Sequence, residues 1–153
     1  MREKSNQASD LEQKTLSIRR VTRVVKGGRR FSFSVALAAG DRRGGVGVGV
    51  GKAADISLAM DKALKSARKN MLRLKLTERS SLPYDAEAKF ASSRVRLAPA
   101  PGRGLVAGSS ARIVLDLAGV RDASAKFFSK SKNKLNNARA TMRALELICN
   151  YTN

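Results

Sequence analysis

Two glycine-rich strings that run into helix-like sequence are the places where this chain could hold a phosphate. The first is GGVGVGVGKAAD, Gly44 to Asp55. A P-loop needs Gly, four residues, then Gly-Lys and Ser or Thr, so that bare N–H groups cradle phosphates and the hydroxyl reaches magnesium. Gly51 and Lys52 fit the end of that pattern, but its first glycine falls on Val46 and its hydroxyl on Ala53. From Gly45 onward glycines recur only at even separations, which excludes the G-x-G-x-x-G dinucleotide spacing. Period two reads instead as a strand, with Val46, Val48 and Val50 on the core face and Gly45, Gly47, Gly49 and Gly51 on the other. A bare face costs about 0.5–1 kcal/mol per Gly relative to Ala, so something must come close to it. That is either a neighbour within the same chain, or an RNA backbone or partner protein flanked by Arg42, Arg43 and Lys52.

The second string, PGRGLVAGSSA from Pro101 to Ala111, resembles the phosphate-binding loop of the small-molecule kinases named for galactose, homoserine and mevalonate. Those carry Gly-Leu-Gly-Ser-Ser-Ala, whereas here Val106 and Ala107 separate Leu105 from Gly108. The helix N-terminus that follows could still meet an anion. Yet each half of the chain is roughly 75 residues, too small for a nucleoside pocket with its own core. No evident base stands with paired carboxylates for magnesium. The 153 residues include no histidine, and the one cysteine, Cys149, reads as a small core residue. No enzymatic activity, metal or cofactor is expected.

The charge points elsewhere. Lys and Arg number 31 against 12 Asp and Glu, a formal net charge of +19. Self-repulsion of that size opposes a compact state unless a polyanion neutralises it, and nucleic acid leads because each phosphate contact releases counterions. No apolar run is long enough to span a membrane and no signal-peptide pattern is present. The densest stretch, Arg19 to Lys52, holds nine basic residues and only Asp41. A second follows Asp122, where six Lys or Arg, among them Lys126, Lys130 and Lys132, precede Glu146. Two clusters imply two contact surfaces.

These residues need elements to hold them. Leu16 to Val25 predicts a strand whose alternation slips near Arg19–Arg20, as at a bulge. KGGR, Lys26 to Arg29, is a turn, and FSFSVALA puts Phe31, Phe33, Val35 and Leu37 on one face. With the glycine–valine strand this makes a three-stranded antiparallel meander. Ile56, Met60, Ala63, Ala67, Met71 and Leu74 predict a helix, on which Lys62, Lys65, Lys69 and Arg73 form a basic row read as an RNA contact. Residues 1–10 read as a flexible tail, 11–76 as one domain, 77–83 as linker and 84–153 as a second domain. In the second, AEAKF and SSRVRLAPA predict strands and Arg121 to Ser129 another. Ser109 and Ser110 are candidate caps of a helix with Ala111, Val114, Leu115 and Ala118 inside and Gly119 at its C-terminus. A last helix carries Leu135, Ala138, Met142, Leu145 and Cys149. The five phenylalanines, Phe31, Phe33, Phe90, Phe127 and Phe128, read as core rather than as base-stacking platforms. Each half would have a marginal core alone, so a bound partner should supply part of the stability.

RVTRVVKGGRRFSF, GDRRGGVGVGVGKAADI, KSARKNM, RLAPAPGRGLVAGSSARIVLDLAGVRDASAK and NNARAT follow one another from about Leu11 to Leu147. In that order they resemble the bacterial form of the small ribosomal subunit protein five family. The resemblance implies an α+β chain of two small two-layer domains, an N-terminal β-β-β-α domain like the double-stranded-RNA-binding fold and a C-terminal α/β sandwich. It implies a structural role: binding small-subunit rRNA, fixing the head against the body, adjoining ribosomal proteins four and eight, lying near the mRNA entry channel and influencing accuracy, in a bacterial cytoplasm. Arg20 to Arg29, with Thr22, Arg23, Lys26, Gly27 and Gly28, would be the rRNA-contacting loop, joined by Arg19, Arg42, Arg43, Lys52 and the two basic clusters. Gly102, Arg103, Gly104 and Arg112 would face ribosomal protein four. Arg103 stands where that family commonly has threonine, and Ser57 and Lys134 where it commonly has proline. An RNA chaperone or assembly factor that leaves the mature particle is the alternative.

Overall fold

The computed structural model describes residues 11–77 and 79–151; the tail read over 1–10, and Glu78 in the linker, lie outside them. The first half is β1 (Glu12–Val25), β2 (Gly28–Gly40), β3 (Gly45–Ala53), α1 (Ile56–Lys69) and β4 (Leu72–Arg73), its strands forming one antiparallel sheet in the order β1-β2-β3-β4. The second is β5 (Ala86–Phe90), β6 (Ser93–Pro99), β7 (Leu105–Ala107), α2 (Ser109–Leu117), β8 (Ala123–Phe127) and α3 (Lys134–Tyr151), with sheet order β5-β6-β8-β7. β7 and β8 are parallel neighbours joined through α2, while β5, β6 and β8 pair antiparallel. This is the expected α+β pair of a β-β-β-α unit and an α/β sandwich.

The glycine face meets the chain itself. On one side of the first sheet Val35, Leu37 and Ala39 stand directly opposite Gly51, Gly49 and Gly47. α1 lies on that side with Ala59, Ala63 and Ala67 fully buried. A Cβ on Gly47, Gly49 or Gly51 would run into the carbonyl oxygen of Ala67, Ala63 or Ala59 respectively. Alanine every fourth residue on the helix against glycine every second residue on the strand brings the two backbones into contact. The cost of the glycines in strand stability is offset by this close packing. The other face, with Ala36, Ala38, Val46 and Val48, joins the core of the second half beside Val114, Leu115, Leu145 and Ile148. One apolar core therefore runs through both halves, so neither depends on a bound partner in the way their separate sizes suggest.

Backbone hydrogen bonds at the C-terminus of α2 reinforce that junction. In the β2–β3 turn the N–H groups of Arg42 and Gly44 donate to the carbonyl oxygens of Leu117 and Ala118 at 2.9 Å each. These are among the last carbonyls of α2, which its own helix cannot satisfy. α2 closes as a Schellman motif: Val120 N–H donates to Leu115 O, Gly119 N–H donates to Asp116 O, and Gly119 adopts φ +81°. Lys14 Nζ, 2.5 Å from Asp116, ties β1 to the same helix.

Several local expectations are corrected. The bulge in β1 lies between Thr15 and Ser17, not at Arg19–Arg20; it turns Leu16 into the core. α1 stops at Lys69, so Met71, Arg73 and Leu74 sit beyond it, Arg73 in β4. Gly108, in extended conformation, is the N-cap of α2; Ser109 and Ser110 are its first helical residues and make no cap. The segment read as a linker is not among these corrections: within it Thr77 and Ser81 bond each other, and Ser81 Oγ donates to Asp122 O at 2.6 Å.

Candidate nucleic-acid interface

β2 has 13 residues and α1 has 14. A strand rises about 3.3 Å per residue and a helix about 1.5 Å, so the strand is about twice as long as the helix that covers it. The far ends of β1 and β2 therefore run past the core as a two-stranded ribbon. From Ser17 to Ser34 it carries Arg19, Arg20, Arg23, Lys26, Arg29 and Arg30 with no carboxylate. All six are exposed, as are Thr22, Gly27 and Gly28. The hairpin is closed by Lys26 and Gly27 between the paired Val25 and Gly28.

The ribbon is unusual in what it leaves uncovered. Val24 is 76% exposed and Ile18 49%. Phe31, expected in the core, is 46% exposed, with the Arg20 guanidinium 4.0 Å from its ring centroid. Alternation along β2 places it correctly on the Val35–Leu37 face, but α1 does not reach that far. Arg23 stands directly opposite Arg30, a like-charge pair that disfavours the ribbon. An isolated two-stranded hairpin is marginal in water. Here it is also loaded with cations, so its chemistry favours a polyanion lying along it.

The remaining basic positions divide among several surfaces. Lys52, opposite Ser34, lies at the base of the ribbon, and Lys62 Nζ donates to its carbonyl oxygen at 3.4 Å. Lys62, Lys65 and Lys69 are all exposed on α1, away from its buried alanines. Arg42 and Arg43 occupy the β2–β3 turn, at the opposite end of β2 from Lys26. A strand of that length separates them by about 40 Å, so the dense stretch Arg19 to Lys52 is not one patch. Arg42 also pairs with Glu12, Nη2 to Oε2 at 2.8 Å. Lys126, Lys130 and Lys132 are exposed in the second half. Further cations outside the predicted set join these surfaces, among them Arg30 on the ribbon, Lys89 on β5, and Arg94 and Arg96 on the outer face of β6. The period-two arginines of SSRVRLA carried the signal for the last two.

The kinase-like string has a different occupant. Gly102 and Gly104 adopt φ +76° and +69° and donate their N–H groups to the Asp122 carboxylate at 3.3 and 3.1 Å. Where a phosphate loop would bind its anion, this loop already holds one of its own. Arg103 is exposed at its tip, and Arg112 Nη2 donates to Leu105 O at 2.8 Å. Among the described residues two titrations are displaced. The Lys14 hydrogen bond draws the Asp116 carboxyl below its usual range, and burial pushes up the half-buried Cys149 thiol.

The comparisons with known proteins fit this arrangement. A sequence model described as ribosomal protein S5, N-terminal domain, matches residues 11–75, and one described as ribosomal protein S5, C-terminal domain, matches residues 88–153. The chain belongs to the ribosomal protein S5 family. It is 49% identical over 128 residues to the small ribosomal subunit protein uS5 of Anaplasma phagocytophilum, covering 83% of this chain and 74% of that one. Identity to uS5 of Thermosynechococcus vestitus is 43% over 143 residues, 93% of this chain and 82% of that one. Identity to uS5c of Guillardia theta is 43% over 145 residues, 94% and 85% of the two chains. S5 proteins are structural, non-enzymatic components of the small ribosomal subunit. The resemblance read from the ordered motifs is thus correct, and so is the expectation that no reaction is catalysed.

Proposed function

We propose that this chain binds small-subunit rRNA and holds separated rRNA segments in register within the subunit, in a bacterial cytoplasm. The observation that carries this reading is the β1–β2 ribbon, with six cations, no carboxylate and apolar side chains left in solvent. An A-form duplex offers phosphates and 2′-hydroxyls across its wide minor groove, which a basic ribbon meets by shape rather than by base sequence. Arg19, Arg20, Thr22, Arg23, Lys26 to Arg29 and Lys52 form the first contact, extended by Lys62, Lys65 and Lys69. Arg42, Arg43 and the Lys126–Lys132 stretch are further contacts at a distance. The loop Gly102–Gly104 with Arg112 faces ribosomal protein four, and ribosomal protein eight adjoins. The chain steadies head against body near the mRNA entry channel and so affects accuracy.

Lys26→Glu with Arg29→Glu tests the ribbon. Both residues are exposed at its tip, so the fold should survive, as a thermal melt checks. Affinity for small-subunit rRNA should fall, and the slope of log K against log salt should shrink by about two units. Unchanged affinity and slope would remove the ribbon from the interface. Sedimentation of extract at moderate and high salt tests the wider reading: the chain should co-migrate with the small subunit at about one copy per particle. Recovery only in lighter fractions would make it an assembly factor or chaperone.

A further inference from the structure

The second sheet has one face against the core and one in solvent. Val95, Leu97 and Ala123 point inward and are fully buried. The alternate positions, Glu87, Lys89, Arg94, Arg96 and Lys126, point outward and are exposed. Phe128 follows β8 by one residue, and its N–H donates to Arg94 O at 3.0 Å, which continues the β6–β8 pairing and places its ring on the same outer face.

Two features of this face work against the fold. Arg96 stands directly opposite Lys126, and Lys89 directly opposite Arg94, so two like-charge pairs face each other across neighbouring strands. Each such pair is destabilising. Glu87 and Asp85 relieve them in part by pairing with Arg94 and Arg96, but these ion pairs are solvent-exposed and weak. Phe128 is 53% exposed, with the Arg94 guanidinium 5.9 Å and the Lys126 ammonium 6.0 Å from its ring centroid. Lys130 and Lys132 extend the positive field beyond β8.

We infer that this face is a second RNA site that takes an unpaired nucleotide, its base stacked on Phe128 and its flanking phosphates held by Arg96 and Lys126. A half-exposed aromatic ring flanked by two surface cations suits a base, since every base has a π-face and its neighbouring phosphates need positive partners. A duplex cannot use the ring, because its bases are already stacked on each other. The inference rests on the proposed rRNA binding, but it assigns this face to single-stranded RNA where the ribbon takes duplex.

The test uses the full chain, with a short labelled oligouridine and an RNA duplex of equal length, by fluorescence anisotropy. Phe128→Ala should weaken oligouridine binding about fivefold or more and leave duplex binding within twofold. Phe128→Tyr should retain oligouridine binding. Arg96→Ala with Lys126→Ala should lower the single-strand salt slope by about 1.4. Lys26→Glu with Arg29→Glu should weaken the duplex and preserve the effect of Phe128. An oligouridine affinity unmoved by Phe128→Ala while the duplex still binds overturns this site alone. The same result accompanied by reduced retention of the variant in purified small subunits would assign the face to a protein neighbour instead. Wild-type protein that binds neither probe overturns both this site and the proposed function.

Discussion

Gly49→Ala tests whether the glycine face exists for the helix. The added methyl would collide with the Ala63 carbonyl oxygen and with the Ala67 N and Cα atoms. All of these are backbone, so no side chain can swing aside. α1 would have to withdraw by about an ångström to restore ordinary contact, opening the cluster of Leu37, Ala39, Ala63 and Ala67. Overpacking of this kind costs about 1–3 kcal/mol. Against it, alanine lowers the entropy of the unfolded chain, a gain of about 0.4–1 kcal/mol. The net expectation is a loss of about 1–2 kcal/mol, and at this chain length a Tm lower by about 2–8 °C. Gly27→Ala is the control, since a Cβ there has nothing within 4 Å. Circular dichroism melts of both variants beside the wild type decide the matter. If Gly49→Ala melts at or above the wild type while Gly27→Ala is neutral, the helix does not lie where the packing places it. The bare strand would then have to be explained by an external partner.

Three further outcomes follow from single contacts. The Asp116 carboxyl is drawn down chiefly by the Lys14 hydrogen bond. Its contribution is therefore present above the ordinary value of 3.8 and lost as pH falls through the lower folded value. Urea unfolding from about pH 5 to about pH 3 should show a smaller acid-side loss in Asp116→Asn than in the wild type; parallel losses would sink this account. Asp122→Ala removes the acceptor for Gly102 and Gly104 N–H, so amide exchange at Gly104 should accelerate by about fivefold or more, whereas an unchanged rate would mean the carboxylate does not hold the loop. Gly119→Ala meets both a φ of +81° and the Arg42 carbonyl, and should lower the unfolding free energy measured in urea by more than the roughly 1–2 kcal/mol of left-handed strain alone; a value equal to the wild type would contradict the docked turn.

What was legible in the sequence was what repeats locally. Phe31 to Leu37 alternates over enough residues to declare a strand, and Leu135 to Cys149 recurs at helical spacing, so β2 and α3 fall where the pattern puts them. β4 and β7 were not legible, because two or three residues cannot show a period and their partners are distant in sequence. The alternation of Gly45 to Lys52 revealed two unlike faces but not which layer covers each. That answer lay in a second row, Ala59, Ala63 and Ala67, which carries no obvious signal until set against the glycines. Phe31 and Phe128 failed for a related reason. Alternation assigns a residue to a face, whereas burial depends on how far the covering helix extends along it. At the interface, the abundance of cations was plain from composition. Their division among the ribbon, the β2–β3 turn and the outer face of the second sheet required the strand lengths and registers.

The placement of charge explains why the interior is built from such small residues. Under the proposed function, in which the chain holds RNA segments in register, its cations must sit at set distances, and a +19 surface pushes against any arrangement that can relax. Glycine against alanine leaves α1 no room to slide on β3, so Lys62, Lys65 and Lys69 keep their offset from the ribbon. The shared valine core and the turn docked onto α2 do the same for the second half. Opposed like charges, Arg23 with Arg30 and Arg96 with Lys126, are tolerable only in a frame stiff enough to hold them until an anion arrives. In the proposed rRNA binding, their repulsion in the free protein would add to the driving force, because each phosphate that settles between two cations would relieve it.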